Sequence, residues 1–217
     1  MKQYLSIAIA SILTLTTPSI VNAQFYITAD IGGVPTVSGA TLENFDEPSP
    51  SILTLSGSAY LVTGTSDLGT APYFSGSTAA YFGESPTTGY DNSQYVSLEY
   101  GGTATLSFST PQNYLGLLWA SVDSMNLLTF YDNANNVIGT VSGYDLPGVP
   151  IPSGTGPDGT YYVNITSTTP FSSVILSNPN DSFEFDDVAY APVPEPASLS
   201  LLVFGLFGLT LLRRHRG

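Results

Sequence analysis

The sequence predicts an all-β protein with an antiparallel sandwich or barrel, and three observations support this. Short runs rich in Val, Ile, Thr, Tyr and Phe are separated by Gly, Pro, Asn and Asp. Within residues 103–109, apolar and hydroxyl side chains alternate, so that Ala104, Leu106 and Phe108 share one face. No segment shows a convincing amphipathic helix. The chain of 217 residues therefore fits one β-domain once its two ends are set aside.

Each predicted strand is a run of β-branched and aromatic residues that stops at a turn-forming residue. In chain order the predicted strands span residues 25–31, 52–55, 59–63, 79–82, 94–100, 103–109, 114–121, 127–131, 137–142, 160–165, 171–177 and 182–190. Asp and Asn in residues 131–137 predict a hairpin turn, because both residues tolerate a left-handed backbone. Residues 143–159, rich in Gly and Pro, predict a long surface loop.

The N-terminal segment has the organisation of a secretory signal. Lys2 precedes an apolar stretch over residues 5–15, and Val21-Asn22-Ala23 has the small-x-small pattern of a cleavage site. We therefore expect a signal peptide over residues 1–23 and a mature chain that begins near Gln24. The remaining domains are then predicted as a β-sandwich over 24–192 and a sorting and anchor segment over 193–217.

Charge is distributed very unevenly along the chain. All Lys, Arg and His residues lie in the two terminal segments, whereas 16 of the 17 acidic residues lie between 24 and 193. Nucleic-acid binding by this body is excluded, because neutralising a phosphate backbone needs Lys or Arg. Catalytic triads, Schiff bases, thiolate nucleophiles and phosphoryl-transfer clamps are excluded as well, since the body also lacks Cys. No carboxylate pair is marked as a glycosidase site, so we expect a protein that is not an enzyme.

The C-terminal segment has three features in a fixed order. Pro194-Glu195-Pro196 favours an extended backbone, residues 197–212 form an uncharged apolar run, and Arg213, Arg214 and Arg216 follow. The apolar run predicts a short transmembrane helix with its basic end in the cytoplasm. Together with the signal peptide, the segment closely resembles the PEP-CTERM sorting signal. The resemblance implies an inner-membrane precursor that an exosortase cuts near Pro194-Glu195-Pro196 before the body reaches the cell surface.

Two acidic clusters lie near the two ends of the body, at residues 43–47 and 181–187. They are similar to the opening and closing strands of calcium-stabilised jelly-roll carbohydrate-binding modules and MAM-type adhesion domains. That resemblance implies a jelly-roll-like sandwich with structural Ca²⁺ on Asp46 and Asp186, and with Glu47 and Asp187 as further candidate ligands. Oxygen donors without imidazole or thiolate suit Ca²⁺. The alternative is that these acids are solvated or cap turns at strand ends.

A Trp-x-Ser-x-Asp-x-x-Asn pattern occupies the middle of the body, from Trp119 to Asn126. It resembles a hairpin that recurs in PEP-CTERM surface proteins, a resemblance that implies no biochemical activity. Asp123 and Asn126 are expected to satisfy N–H groups of the turn. Trp119 is a candidate sugar-binding platform, yet a Trp within Leu117-Leu118-Trp119 is more often a core residue whose indole N–H finds a backbone acceptor.

Two functions follow as hypotheses. The first is an exported, exosortase-processed, non-catalytic protein of the cell surface or of an extracellular, biofilm-associated exopolysaccharide matrix. The second is a calcium-dependent carbohydrate-binding or adhesion module held at the surface. The expected partners are the exosortase and the inner membrane before processing, and exopolysaccharide or other surface glycans after it.

Overall fold

The computed structural model describes residues 23–46, 52–180 and 182–192. Its strands are β1 (Phe25–Asp30), β2 (Thr41–Glu43), β3 (Leu53–Ser56), β4 (Ala59–Thr63), β5 (Tyr73–Phe74), β6 (Gly89–Tyr90), β7 (Gln94–Leu98), β8 (Thr103–Ala120), β9 (Leu127–Tyr131), β10 (Val137–Ser142), β11 (Thr160–Ser177) and β12 (Phe183–Pro192). A helix α1 (Thr78–Phe82) and a 3-10 turn (Gly143–Asp145) complete the described elements. The predicted antiparallel all-β class is confirmed. The predicted signal peptide up to Asn22 and the transmembrane helix lie outside the described residues.

Ten of the described strands form one antiparallel sheet. Its two longest strands, β8 and β11, pair with each other in two separate regions, which we call the two arms of the sheet. Residues 103–107 of β8 pair with residues 173–177 of β11 and, in part, with β3. Residues 114–120 of β8 pair instead with residues 160–166 of β11, and β12 lies on their other side. Pro111 and Pro170 lie where the pairing is interrupted, where a missing N–H costs no ladder bond.

The side of β8 that faces the main hydrophobic cluster switches between the two arms. Ala104, Leu106 and Phe108 join this cluster from even positions in the first half, whereas Leu115, Leu117 and Trp119 join it from odd positions in the second. Both sets belong to one hydrophobic cluster that also includes residues of β7, β9, β10, β11 and β12. The two arms therefore enclose a common core, as the two layers of a sandwich do. The jelly-roll-like subclass stays a prediction.

The strand prediction over residues 79–82 is wrong, because this segment forms α1. Its two alanines favour helix, and Gly83 ends the helix in a left-handed conformation with φ of 83°. The short strands β2, β5 and β6 were not predicted, since two or three residues carry no detectable alternation. Residues 103–109 and 114–121 were predicted as separate strands and instead belong to one long strand.

Trp119 lies in the core and has no exposed surface. Its ring stacks on Phe183 with centroids 4.7 Å apart, and its Nε1 donates a hydrogen bond to Asn126 Oδ1 at 3.1 Å. A buried indole cannot present a face to a sugar, so the structure contradicts the candidate sugar-binding role of Trp119 and agrees with the core position that its apolar neighbours favour. Among the described residues, we find no helix long and apolar enough to cross a membrane.

Asn126 connects three parts of the fold. Its Oδ1 accepts from Trp119 and from the Asp123 backbone N–H at 2.8 Å, and its Nδ2 donates to the Ser182 carbonyl at 3.2 Å. Replacing Asn126 by Ala leaves these buried groups without partners. We expect the free energy of unfolding to fall by about 2 to 3 kcal/mol in urea denaturation. The control Asn133→Ala changes an exposed turn residue and should cost less than about 0.5 kcal/mol. Equal effects of the two substitutions would contradict this role for Asn126.

Candidate metal centre

Pairing between β2 and β12 brings the two acidic clusters of the sequence together. Glu43 lies opposite Val188, and the residues that follow β2 continue along the same edge. Phe45 is fully buried and packs edge-to-face on Phe185, with ring centroids 5.8 Å apart and an interplanar angle of 85°. This aromatic contact holds Asn44 and Asp46 beside the first half of β12.

A β-bulge in β12 places two consecutive aspartates away from the core. The register to β8 shifts between Asp186 and Ala189, and Asp187 has a left-handed backbone with φ of 51°. Phe185 and Val188 both belong to the hydrophobic core, so the extra residue of the bulge lies between them. Asp186 and Asp187 are nevertheless fully buried.

Glu84 and Asp91 come to the same region from the segment between β4 and β7. Glu84 follows the left-handed Gly83 at the end of α1, and its N–H donates to the Ala79 carbonyl at 2.8 Å. Asp91 follows β6, where its N–H donates to the Pro72 carbonyl at 2.9 Å and its Oδ1 accepts from the Ser93 N–H at 2.7 Å. Both acids are thus fixed by backbone hydrogen bonds.

Asn44 links two of these acids. Its Nδ2 donates to Glu84 Oε1 at 2.5 Å and to Asp46 Oδ2 at 3.1 Å. Asp46 Oδ1 in turn accepts from the Gln94 backbone N–H at 3.0 Å. We use the name carboxylate cluster for Asp46, Glu84, Asp91, Asp186 and Asp187.

Burial and neighbouring negative charges raise the pKa values of two carboxyl groups of the cluster, Asp186 and Asp187. Burial raises the pKa of Asp186 well above its usual value, and the charges of Asp187 and Asp91 add to this effect. Burial likewise raises the pKa of Asp187, with further contributions from Glu84, Asp91 and Asp46. Residues 24–193 contain no Lys, Arg or His, so no positive side chain of the body offsets this repulsion.

Several carboxylate oxygens of the cluster are buried without a hydrogen-bond donor. Within the described part of the chain, this applies to both oxygens of Asp186, both of Asp187 and Oδ2 of Asp91. Asp91 raises the pKa of Asp186 by its charge and by a hydrogen bond that the two carboxyl groups can form only when one of them is protonated. A buried carboxylate in this state must take up a proton or bind a cation.

The donor set fits a hard divalent cation. Carboxylate and carbonyl oxygens without imidazole or thiolate are the ligands of Ca²⁺ rather than of zinc or copper. As the side chains stand, no group of three or more acidic or histidine residues among residues 23–46, 52–180 and 182–192 already forms a closed metal-binding set. Cation binding would therefore require these mutually repelling carboxylates to move closer to one another, around the ion.

Tyr162 of β11 contacts the backbone of the carboxylate cluster through one hydrogen bond. Its buried hydroxyl donates to the Asp187 carbonyl at 3.1 Å, at the left-handed residue of the bulge. Gly116 makes room for this contact, because a Cβ there would lie 2.7 Å from the Tyr162 hydroxyl and 2.6 Å from the Tyr114 hydroxyl. The backbone of the bulge is therefore held by a side chain from β11.

The structure describes three of the four predicted metal ligands. Asp46, Asp186 and Asp187 lie in one electrostatic neighbourhood, whereas Glu47 falls outside the described residues. Glu184 faces a different region, where a Cβ on Gly69 would lie 3.0 Å from Glu184 Oε1. The sequence prediction missed Glu84 and Asp91. They are isolated acids in a loop-rich segment, and only their position beside Gly83 and Asn92-Ser93 marks them as turn residues.

Beyond the last strand, residues 192–216 match the family model of the PEP-CTERM protein-sorting motif. The chain carries this motif. The match begins at Pro192, the last residue of β12, and includes Pro194, Glu195 and Pro196, which lie outside the described residues. No match was found among curated proteins.

Three solved structures are distantly similar to this chain. The K2 cleaved adhesin domain of Lys-gingipain has 10% identity and a TM-score of 0.42, over 70% of this chain and 99% of that one. CsCBM6-3 from Clostridium stercorarium, solved with cellobiose, has 10% identity and a TM-score of 0.38, over 72% and 100%. The exo-β-1,3-galactanase of Phanerochaete chrysosporium has 13% identity and a TM-score of 0.38, over 71% of this chain and 30% of the enzyme. Similarity this distant shows no function.

The raised pKa values of Asp186 and Asp187 predict an unusual pH dependence. Both groups have an ordinary value of 3.8, so between about pH 4 and their raised pKa values the folded state holds more protons than the unfolded state. The free energy of unfolding in chelator should therefore fall as pH rises from about 4 to 7. Excess Ca²⁺ should reduce this slope, because the metal replaces the protons.

The measurement is thermal unfolding of the detergent-purified full chain across this pH range, with EDTA or with Ca²⁺. A melting temperature in EDTA that is constant or rises with pH would show that the cluster is not strained by its charges.

Proposed function

We propose that the protein is exported, cut by an exosortase near Pro194-Glu195-Pro196, and left at the cell surface or in the extracellular matrix as a non-catalytic β-domain stabilised by Ca²⁺. The observation that carries the proposal is the PEP-CTERM motif joined to a domain whose buried carboxylates have no positive partner. Export delivers such a domain to surroundings in which Ca²⁺ is available.

The position of the motif supports processing without damage to the fold. β12 ends at Pro192, and Glu195 lies three residues beyond it. A cut near Pro194-Glu195-Pro196 would leave every described strand intact. It would also remove Arg213, Arg214 and Arg216, so that the released body keeps no positive side chain once the signal peptide is gone.

Burial of the cluster supports a structural role for the cation. Asp186 and Asp187 have no exposed surface, so a substrate cannot reach them from solvent. In this proposal Asp46, Asp186 and Asp187 hold the ion, with Glu84 and Asp91 as further oxygen donors. The ion would join the end of β2, the bulge of β12 and the segment between β4 and β7. It would thereby act as a cross-link in a domain that has no disulfide.

A further role in the matrix follows from surface charge. The body has 16 carboxylates and no basic side chain between residues 24 and 193, and several acids remain exposed. Divalent cations can bridge such a surface to other anionic polymers, whereas direct contact with an anionic surface is repelled. The matrix role therefore depends on Ca²⁺ twice, inside the domain and between molecules.

Asp186→Asn tests the metal centre. In wild-type protein, Ca²⁺ should raise the melting temperature, because an ion that binds only the folded state stabilises it. The variant should lose most of this rise. In EDTA it should be at least as stable as wild type, since the amide is isosteric and removes one repelling charge.

Asp67→Asn is the matched control, because Asp67 is exposed and far in sequence from the cluster. It should keep the full Ca²⁺-dependent rise. A wild-type melting temperature that does not differ between EDTA and Ca²⁺ would refute the metal centre, as would a full rise in Asp186→Asn.

Replacement of Pro194-Glu195-Pro196 by three alanines tests the sorting role. The altered protein should stay in the inner membrane at precursor mass, because the segment that the exosortase grips is no longer extended. Fractionation and intact-mass measurement would show this. Pro147→Ala with Pro150→Ala, two exposed loop prolines, serves as control and should be processed normally. Release of the triple-alanine protein at mature mass would contradict the proposal.

A further inference from the structure

Three connections between strands meet at one end of the sheet and surround a pocket of about 480 Å³. Ser58 lies between β3 and β4, Glu99 and Tyr100 lie between β7 and β8, and Asn180 and Ser182 lie between β11 and β12. The pocket does not involve the carboxylate cluster. Its volume lies within the range of small-molecule sites.

Tyr100 is the aromatic member of this pocket, and 73% of its surface is exposed. The turn that carries it is held from one side by Ser58. The Glu99 N–H donates to the Ser58 carbonyl at 2.8 Å, and the Gly102 N–H donates to the Glu99 carbonyl at 2.7 Å. A Cβ on Gly102 would lie 2.3 Å from the Ser58 carbonyl oxygen, so the two connections are in close backbone contact.

The connection between β11 and β12 holds the same turn from the other side. The Gly101 N–H donates to the Asn178 carbonyl at 3.3 Å. Asn178 also organises its own loop, since its Oδ1 accepts from the Asn180 N–H at 2.9 Å and its Nδ2 donates to the Ser182 carbonyl at 2.8 Å. Tyr100 is therefore an exposed ring on a preorganised support, which reduces the entropy lost when a ligand binds.

We propose that this pocket binds a neutral oligosaccharide. The ring of Tyr100 offers a flat apolar surface for the C–H face of a pyranose. Glu99, Asn180 and Ser58 line the same pocket, and carboxylate, amide and hydroxyl groups are suited to bind sugar hydroxyls. The carboxylate, together with the negative charge of the whole body, disfavours uronic-acid and sulfated chains.

Sugar binding deepens the proposed function, because it names what a surface or matrix protein would hold. It rests on that function only for its biological setting. Binding is measured on the purified full chain in detergent with Ca²⁺ present, so a failure here would leave export and metal binding untouched.

Isothermal titration calorimetry with neutral hexasaccharides of glucose, mannose, galactose and xylose tests the proposal. At least one of them should bind, and Tyr100→Ala should weaken that binding by about tenfold or more. Tyr144→Ala is the matched control, because Tyr144 is equally exposed at 74% and does not line the pocket. It should change the affinity by less than about twofold. A galacturonate hexamer should bind at least about tenfold more weakly than the neutral chain.

The proposal is overturned if none of the neutral hexasaccharides binds. Undiminished binding in Tyr100→Ala, an equal loss in Tyr144→Ala, or binding of the galacturonate hexamer as tight as that of the neutral chain would overturn it as well. Thermal melts of both variants should match wild type, since neither side chain belongs to the core.

Discussion

The fold depends on how a domain without a single positive side chain accommodates carboxylates in its interior. Asp91, Asp186 and Asp187 are fully buried, and residues 24–193 contain no Lys, Arg or His. An internal salt bridge is therefore impossible in this body. Protons or a bound cation are the two remaining ways to neutralise the cluster. Protonation at neutral pH costs free energy, because a carboxyl group of the unfolded chain is ionised there, whereas cation binding needs no protonation.

The backbone around the cluster is strained in a way that fits a binding site. Phe45 and Asp187 have left-handed φ values of 56° and 51°, which are costly for residues other than Gly. Asp187 lies on β12, and Phe45 follows β2, the strand that pairs with β12. Core contacts hold both conformations. Phe45 packs on Phe185, and the Tyr162 hydroxyl binds the Asp187 carbonyl. Packing thus positions two acidic segments that electrostatics alone would separate.

Sequence patterns predicted most of the strands because they are long enough to show alternation or bounded by clear turns. The resemblance to calcium-stabilised modules also implied that the two acidic clusters lie together, since it assigned Asp46 and Asp186 to one ion. Helix α1 and the positions of Glu84 and Asp91 were not predicted. Two-residue strands and a five-residue helix have no period, and only tertiary contacts, such as that of the Asp91 N–H with Pro72, place these acids. The apolar run Leu117-Leu118-Trp119 favoured a core position for Trp119, and the structure buries this residue.

A crystal structure grown at neutral pH with Ca²⁺, with anomalous data to identify the ion, tests the central claim most directly. We expect one anomalous peak bonded to carboxylate oxygens of Asp186 and Asp187, with Asp46 drawn toward it. Absence of such a peak, with the Asp91 and Asp186 carboxyl groups joined instead by a short hydrogen bond through a retained proton, would contradict it.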